Sequence, residues 1–146
     1  MWWLLRRLHI CFFLLLLNGC GSGERENGRV QGRWYTEQQV ESGQVLYSVH
    51  CAACHGSEAQ GLVADWRTRD ANGNYPPPPL NGTAHAWHHP LSVLERTIME
   101  GGLAIGGVMP GFAGMLTEQE ARSTVAYFQS LWIDEIYRSW EQIDAQ

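Results

Sequence analysis

The sequence contains no lysine, and its charged residues are few and mostly acidic. In 146 residues, Lys and Arg number 10, all of them arginine, against 15 Asp and Glu, and the formal net charge is −5. Proteins that bind nucleic acid use Lys and Arg to neutralise phosphates, so we expect no nucleic-acid partner. An acidic surface suits a partner with a basic docking patch, although solubility alone explains the charge equally well.

The chain also lacks a hydrophobic run long enough to cross a bilayer. The apolar stretch from Leu8 to Leu17 follows two arginines and falls short of the ~20 residues that a spanning helix needs. A basic start, a short apolar stretch and then small residues are typical of an export signal. We therefore expect the mature protein to work outside the cytoplasm.

The end of this segment, Leu17-Asn18-Gly19-Cys20, resembles the lipobox of bacterial lipoproteins. The resemblance implies a signal peptide over residues 1–19, lipidation of Cys20 and a place on the periplasmic side of a bacterial membrane. An ordinary signal with an incidental cysteine is the alternative. Lipid chains, at about 0.8 kcal/mol per buried methylene, would hold the protein to the membrane. Residues 20–33, rich in glycine and charge, are expected to form a flexible tether.

Cysteines are too few and too unfavourably placed for a disulfide framework. Of the four, Cys11 lies in the export signal and Cys20 in the lipobox, which leaves Cys51 and Cys54. A disulfide between those two would close a very small loop and add little stability. A zinc site needs about four ligands, more than this stretch supplies. A thioredoxin-like dithiol would follow a strand, whereas a helical pattern precedes this pair.

The segment Cys51-Ala-Ala-Cys54-His55 has the spacing that attaches a c-type haem. The two thiols add to the vinyl groups on one edge of the porphyrin, and the adjacent His55 then lies beneath the iron as a ligand. A redox dithiol stays the alternative. Covalent attachment occurs outside the cytoplasm, so the export signal supports this interpretation independently. We predict one covalent haem c.

No segment alternates convincingly as a strand, and the periodic segments predict an all-α domain. Capping boxes at Thr36 and Thr117 begin two amphipathic helices. Pro90 stands at the first position of another helix, with His89 placed to act as its N-cap residue and Gly101-Gly102 as its stop. We expect helices from about Thr36 into the haem motif and over residues 90–100, about 118–132 and about 134–142.

Over most of residues 34–133, the predicted cytochrome domain, the chain resembles the class I c-type cytochromes, small electron carriers with one haem. The resemblance implies a fold in which the first and last helices cross at close range and long loops surround the haem. It also implies that Gly43 meets an aromatic residue, Tyr127 or Phe128, at that crossing. Residues 134–146 are expected to form a short C-terminal helix or tail.

The family takes its second axial ligand from a loop before the last helix. Residues 106–112 match its Met-Pro-x-Phe pattern, which implies Met109 as the iron ligand. Glycines let this backbone fold over the haem, and Pro110 stiffens the turn. Met99 and Met115 are explained by core packing.

Three histidines, His85, His88 and His89, lie close together in one loop. They leave open a bis-histidine haem or a separate copper or zinc site. No carboxylate or cysteine accompanies them nearby, so packing against the haem edge is favoured. Trp87 in the same loop is a candidate contact to the haem propionates, as is an arginine.

The pattern Pro78-x-Leu80-x-Gly82 is similar to the family's loop on the histidine side of the haem. The resemblance implies that the Pro78 carbonyl accepts a hydrogen bond from Nδ1 of His55 and that Leu80 packs on the ring. The four consecutive prolines are also typical of a stiff linker. Residues 57–75 exceed the family's compact pattern, and their role is open.

A haem iron with both axial positions filled offers no site to oxygen or peroxide, and thioether ligation raises its potential. We therefore predict an electron carrier rather than an enzyme, transferring one electron between respiratory redox proteins at the membrane. The alternatives are a haem subunit of a periplasmic dehydrogenase, a haem-based gas or redox sensor, and copper handling by the histidine cluster.

Overall fold

The computed structural model describes residues 28–146, so the predicted signal peptide, Cys20 and most of the predicted tether lie outside the described residues. This part of the chain is helical, and its only bridge of β type pairs Arg29 with Thr36. The helices are α1 Glu37–His50, α2 Ala52–His55, α3 Leu91–Glu100, α4 Glu118–Ser130 and α5 Asp134–Asp144. The all-α prediction is confirmed. None of the helices in residues 28–146 combines the length and apolar character that crossing a membrane requires.

Both predicted capping boxes are present. The Thr36 hydroxyl accepts from the backbone N–H of Gln39 at 3.1 Å, and the Gln39 side chain accepts from the Thr36 N–H at 3.0 Å. Thr117 and Glu120 make the same reciprocal pair at the start of α4, at 3.2 and 2.8 Å. Each box satisfies backbone donors that a helix start leaves without partners, so the sequence defines where both helices begin.

The first and fourth helices cross at Gly43. A Cβ atom at this position would lie 3.0 Å from the Cβ of Tyr127 and would overlap the backbone carbonyl of Ser123. The ring of Tyr127 also packs against that of Tyr47 on α1, with centroids 5.0 Å apart. Tyr127 is thus the aromatic residue that faces Gly43, as expected, and only glycine allows the two backbones to approach this closely.

The start of α3 differs from the prediction. Pro90, not His89, is the N-cap residue, with φ −64° and ψ 160°, and its side chain makes no capping bond. The first helical N–H, that of Leu91, instead donates to the carboxylate of Asp144 at 2.6 Å. The N-cap prediction for His89 is wrong because an acceptor from another helix fills that role.

Helix α5 joins the aromatic core through Tyr137 and Trp140, which are 1 % and 2 % exposed. The Tyr137 hydroxyl accepts from the backbone N–H of Trp34 at 3.0 Å. The Trp140 indole donates to the carbonyl of His89 at 3.0 Å. This helix therefore binds the segment before α1 at one point and the histidine-rich loop at another.

Candidate haem-binding site

The two cysteines of the haem motif lie on one helical turn. Cys51 separates α1 from α2, and its carbonyl accepts from the N–H groups of both Cys54 and His55, at 3.1 and 2.9 Å. Both thiols are free, with Cys51 buried and Cys54 exposed. Burial, with a smaller effect from Cys54, raises the pKa of the Cys51 thiol to about 11. The turn thus places two cysteine side chains without a disulfide next to a histidine.

His55 ends α2 and is 8 % exposed. Its Nδ1 lies 2.8 Å from the carbonyl oxygen of Pro78. A carbonyl can only accept, so Nδ1 carries the proton and Nε2 is left as the nitrogen that can bind a metal. Burial lowers the pKa of His55 and so favours the neutral form of the ring, while the bond to Pro78 has a smaller, opposite effect on the pKa. The hydrogen bond expected from the family resemblance is therefore present.

The chain reverses direction immediately after His55. Gly61 donates its N–H to the His55 carbonyl at 2.7 Å, and the Tyr47 hydroxyl of α1 donates to the Gly56 carbonyl at 3.0 Å. Within this turn Ala59 is fully buried and has a φ of +55°, a left-handed conformation rare for alanine. The turn fixes the position of the Ala59 carbonyl, which accepts hydrogen bonds from the loop that follows.

The loop from Pro78 to Gly82 packs on this turn. The carbonyl of Ala59 accepts from the N–H groups of Leu80 and Asn81 at 2.7 and 3.1 Å. The Leu80 side chain, half-buried, packs against the hydrophobic core. The Trp132 indole donates to the Leu80 carbonyl at 2.7 Å. This end of the proline run is therefore part of the domain and does not behave as a free linker.

Met109 lies in a loop that is fastened to the end of α3. Its carbonyl accepts from the N–H of Gly102 at 2.9 Å, and Phe112 donates its N–H to the carbonyl of Ile98 at 3.0 Å. A Cβ atom at Gly101 would lie 2.6 Å from the Met109 carbonyl oxygen, so glycine is required there. Met109 is half-buried and packs against the core. The loop is closely held, with its methionine on the inner side.

Met99 and Met115, the other methionines among residues 28–146, differ in burial. Met99, on α3, is half-buried against the core, as expected. Met115 is 60 % exposed, so the prediction of core packing is wrong for it. The reason is local: the turn that contains Met115 directs its neighbours Phe112 and Leu116 inward, at 9 % and 5 % exposure, and leaves Met115 facing outward.

The histidine-rich loop packs against residues 57–75. The ring of His85 stacks on Trp66 with centroids 4.9 Å apart, and it meets His89 at 5.6 Å. The Arg67 guanidinium lies 4.4 Å from the centre of the Trp66 ring. Burial and then the nearby charges lower the pKa of His85. In the described part of the chain, no group of three or more His, Cys, Asp or Glu side chains could hold a metal ion.

Trp87 is half-buried against the core, and its ring meets that of the adjacent His88 at 3.8 Å. The sequence did not predict two contacts of the site: the bonds of the Ala59 carbonyl to the loop that follows, and the bond of the Trp132 indole to Leu80. Nothing in the sequence indicates the left-handed conformation of Ala59. A buried tryptophan needs an acceptor for its N–H, and this signal could have drawn attention to Trp132, though not to its partner Leu80.

Residues 38–128 match the family model described as cytochrome c oxidase, cbb3-type, subunit III. The curated relatives include the cbb3-type cytochrome c oxidase subunit FixP of Sinorhizobium medicae (strain WSM419), 32% identical over 98 residues, which cover 63% of this chain and 30% of the relative. Subunit CcoP of Azospirillum brasilense is 32% identical over 92 residues, 63% of this chain and 28% of the relative. Subunit CcoP of Azospirillum sp. (strain B510) is 31% identical over 93 residues, 64% and 29%.

The chain thus spans less than a third of the length of these curated relatives. No solved structure matches it. The matched segment contains Cys51, Cys54 and His55, and two cysteines without a disulfide beside a buried imidazole with an available Nε2 are the side chains that haem c requires. The chain belongs to the family of cbb3-type cytochrome c oxidase subunit III, and its cofactor is covalent haem c.

Proposed function

We propose that the protein transfers single electrons through one haem, held by Cys51 and Cys54 and ligated by His55 and Met109. The bound haem supplies an iron that alternates between the ferrous and ferric states. The observation that carries the proposal is the Nδ1 bond of the buried His55 to the Pro78 carbonyl at 2.8 Å. This bond orients the ring and increases the basicity of the nitrogen that would bind iron.

The remaining site residues have supporting roles in this proposal. Met109 would be the second iron ligand, and the bonds that fasten its loop to α3 would hold it in place. Leu80 would pack on the histidine side of the haem, and Trp87 would contact a propionate. Their partial burial against the core supports these roles.

The partners in this proposal are respiratory redox proteins at a membrane. The relatives are named as subunits of cbb3-type cytochrome c oxidases, which supports a terminal oxidase of that type as the electron acceptor. Acidic residues exceed basic ones by five, so a basic patch on the partner would speed encounter. We expect a small and transient interface, as is usual for redox partners.

The proposal includes export and anchoring. Residues 1–19 act as a signal peptide, Cys20 carries the lipid, and residues 20–33 tether the cytochrome domain of residues 34–133 and its C-terminal helix (residues 134–146) to the periplasmic side of a membrane. The sequence Leu17-Asn18-Gly19-Cys20 supports this step. Mass spectrometry of the mature protein tests it, since an unmodified Cys20 thiol would contradict the anchor.

Four measurements on the purified protein test electron transfer. We expect one haem per chain, a low-spin ferrous spectrum, no ready binding of carbon monoxide, and oxidation of the ferrous protein by membranes that contain a cbb3-type oxidase. A high-spin ferrous protein that binds carbon monoxide readily would contradict the proposal and support a gas sensor. A low-spin protein that such membranes do not oxidise would contradict the proposed partner.

A further inference from the structure

We propose that Trp132 is a positioning residue for the axial histidine: its indole N–H holds the loop that presents the Pro78 carbonyl to His55. This inference rests on the proposed role of His55 as an iron ligand. Trp132 lies beyond the end of α4, 77 positions after His55. In this proposal it helps to set the reduction potential of the haem.

The loop has few backbone groups with which to attach itself. The prolines of residues 76–79 carry no N–H, so Leu80 supplies the first backbone donor after the run. That donor and the N–H of Asn81 both bind the Ala59 carbonyl. On the other side, the Leu80 carbonyl accepts from Trp132 at 2.7 Å. Leu80 is therefore held between the turn after His55 and the indole.

The position of Leu80 is transmitted to the Pro78 carbonyl. One residue, Pro79, separates them; its ring fixes φ, and the residue is buried. A shift of Leu80 therefore moves the Pro78 carbonyl with little relaxation in between. The bond at risk is the one from Nδ1 of His55, 2.8 Å long.

Trp132 is itself held in place. It is 3 % exposed, and its ring lies 6.1 Å from that of Phe128 and 6.2 Å from that of Trp140. A Cβ atom at Gly82, where φ is +91°, would lie only 3.1 Å from the indole Cδ1. The ring is thus confined between the core and the loop it binds, and its N–H has a fixed direction.

The chemical consequence is a lower reduction potential. A strong hydrogen bond from Nδ1 makes His55 a more basic ligand, and a more basic ligand favours ferric iron. Without the indole donor, the Leu80 carbonyl loses its partner and the loop shifts, which weakens the bond between Pro78 and His55. Removal of the donor is therefore expected to raise the potential.

The test compares Trp132→Phe with Trp34→Phe in the haem-loaded protein. Each substitution keeps a large aromatic ring and removes one indole hydrogen bond, to the Leu80 carbonyl or to the Gln129 side chain, and the ring of Trp34 meets Tyr35 rather than Trp132. We expect both to lower stability. Only Trp132→Phe should raise the reduction potential and accelerate hydrogen exchange at Nδ1 of His55 by about fivefold, which corresponds to about 1 kcal/mol. Equal changes in both variants, or none in Trp132→Phe, would overturn the inference.

A measurement on the wild-type protein applies if Trp132→Phe does not fold. Hydrogen exchange by NMR should show the Trp132 indole N–H and the His55 Nδ1–H protected to a similar degree. An indole that exchanges as freely as an exposed tryptophan, beside a protected His55, would refute the inference. A wild-type protein without a low-spin, histidine-ligated haem would instead refute the proposed function, so the two failures are distinguishable.

Discussion

The carboxylate of Asp144, in the last turn of α5, accepts a 2.6 Å hydrogen bond from the N–H of Leu91, the first residue of α3. The two residues are 53 positions apart. A negative charge at a helix N-terminus also interacts favourably with the helix dipole. One turn earlier in α5, the Trp140 indole binds the carbonyl of His89. The C-terminal helix thus holds the start of α3 at two adjacent points.

Asp144→Ala is expected to lower the free energy of unfolding by about 1 kcal/mol, the usual cost of losing an N-cap acceptor. Glu141→Ala, an exposed carboxylate one turn earlier on α5, is the matched control and should change stability by less than about 0.5 kcal/mol. Denaturant unfolding of the haem-loaded proteins measures both. Equal effects of the two substitutions would show that Asp144 acts through charge alone.

Gly43→Ala is expected to destabilise the protein by about 1–3 kcal/mol or more, because the new methyl would overlap the Ser123 carbonyl, which belongs to a helix backbone and cannot turn aside. Gly114→Ala provides the control, since a Cβ atom there meets nothing within 4 Å. Thermal unfolding compares the two. If both variants unfold at the same temperature, the close crossing of α1 and α4 does not require glycine.

Helix starts were the most predictable part of this fold. The boxes at Thr36 and Thr117 act within four residues of the chain, and such short-range bonds leave a pattern in the sequence. The start of α3 was missed because its cap comes from Asp144, and no local pattern records a partner from a distant helix. Long-range contacts of this kind depend on the packing of the whole domain.

At the candidate site too, local patterns could be predicted from the sequence and long-range contacts could not. The spacing of Cys51, Cys54 and His55 is local and could be found in the sequence, whereas the bond from His55 to Pro78 was expected only because the chain resembles a known family. The contact of Trp132 with Leu80 has neither source. It was missed because an indole N–H can meet any backbone carbonyl that the fold brings within reach.

Stability is expected to fall as the pH decreases below about 6.5, the ordinary pKa of histidine, because burial and neighbouring positive charges lower the pKa of His85 in the folded protein. The unfolded chain then binds protons more readily than the folded one. The stabilising contribution is fully present above the unfolded pKa and is lost as the pH falls through the lowered folded value.

Unfolding at pH 7.5 and at pH 5.5 measures this dependence. His85→Gln should reduce the difference between the two conditions, because it removes the ring that stacks on Trp66. Because His85 is exposed to solvent on one side, we expect a small effect. A His85→Gln protein with the full wild-type pH dependence would assign the effect to other groups.

Met109→Ala is expected to abolish the weak charge-transfer band that an iron–thioether bond gives at the red end of the spectrum, and to let carbon monoxide bind the ferrous protein. Both changes follow from removing the proposed second axial ligand, which leaves that position open. The matched control is Met115→Ala, because Met115 is 60 % exposed and its loss should affect neither property. The reduction potential should fall in Met109→Ala, since thioether ligation favours ferrous iron. A band that survives in Met109→Ala but disappears in Met115→Ala or Met99→Ala would assign the ligand to that other methionine. The hydrogen bond from Gly102 to the Met109 carbonyl would then contribute to stability alone.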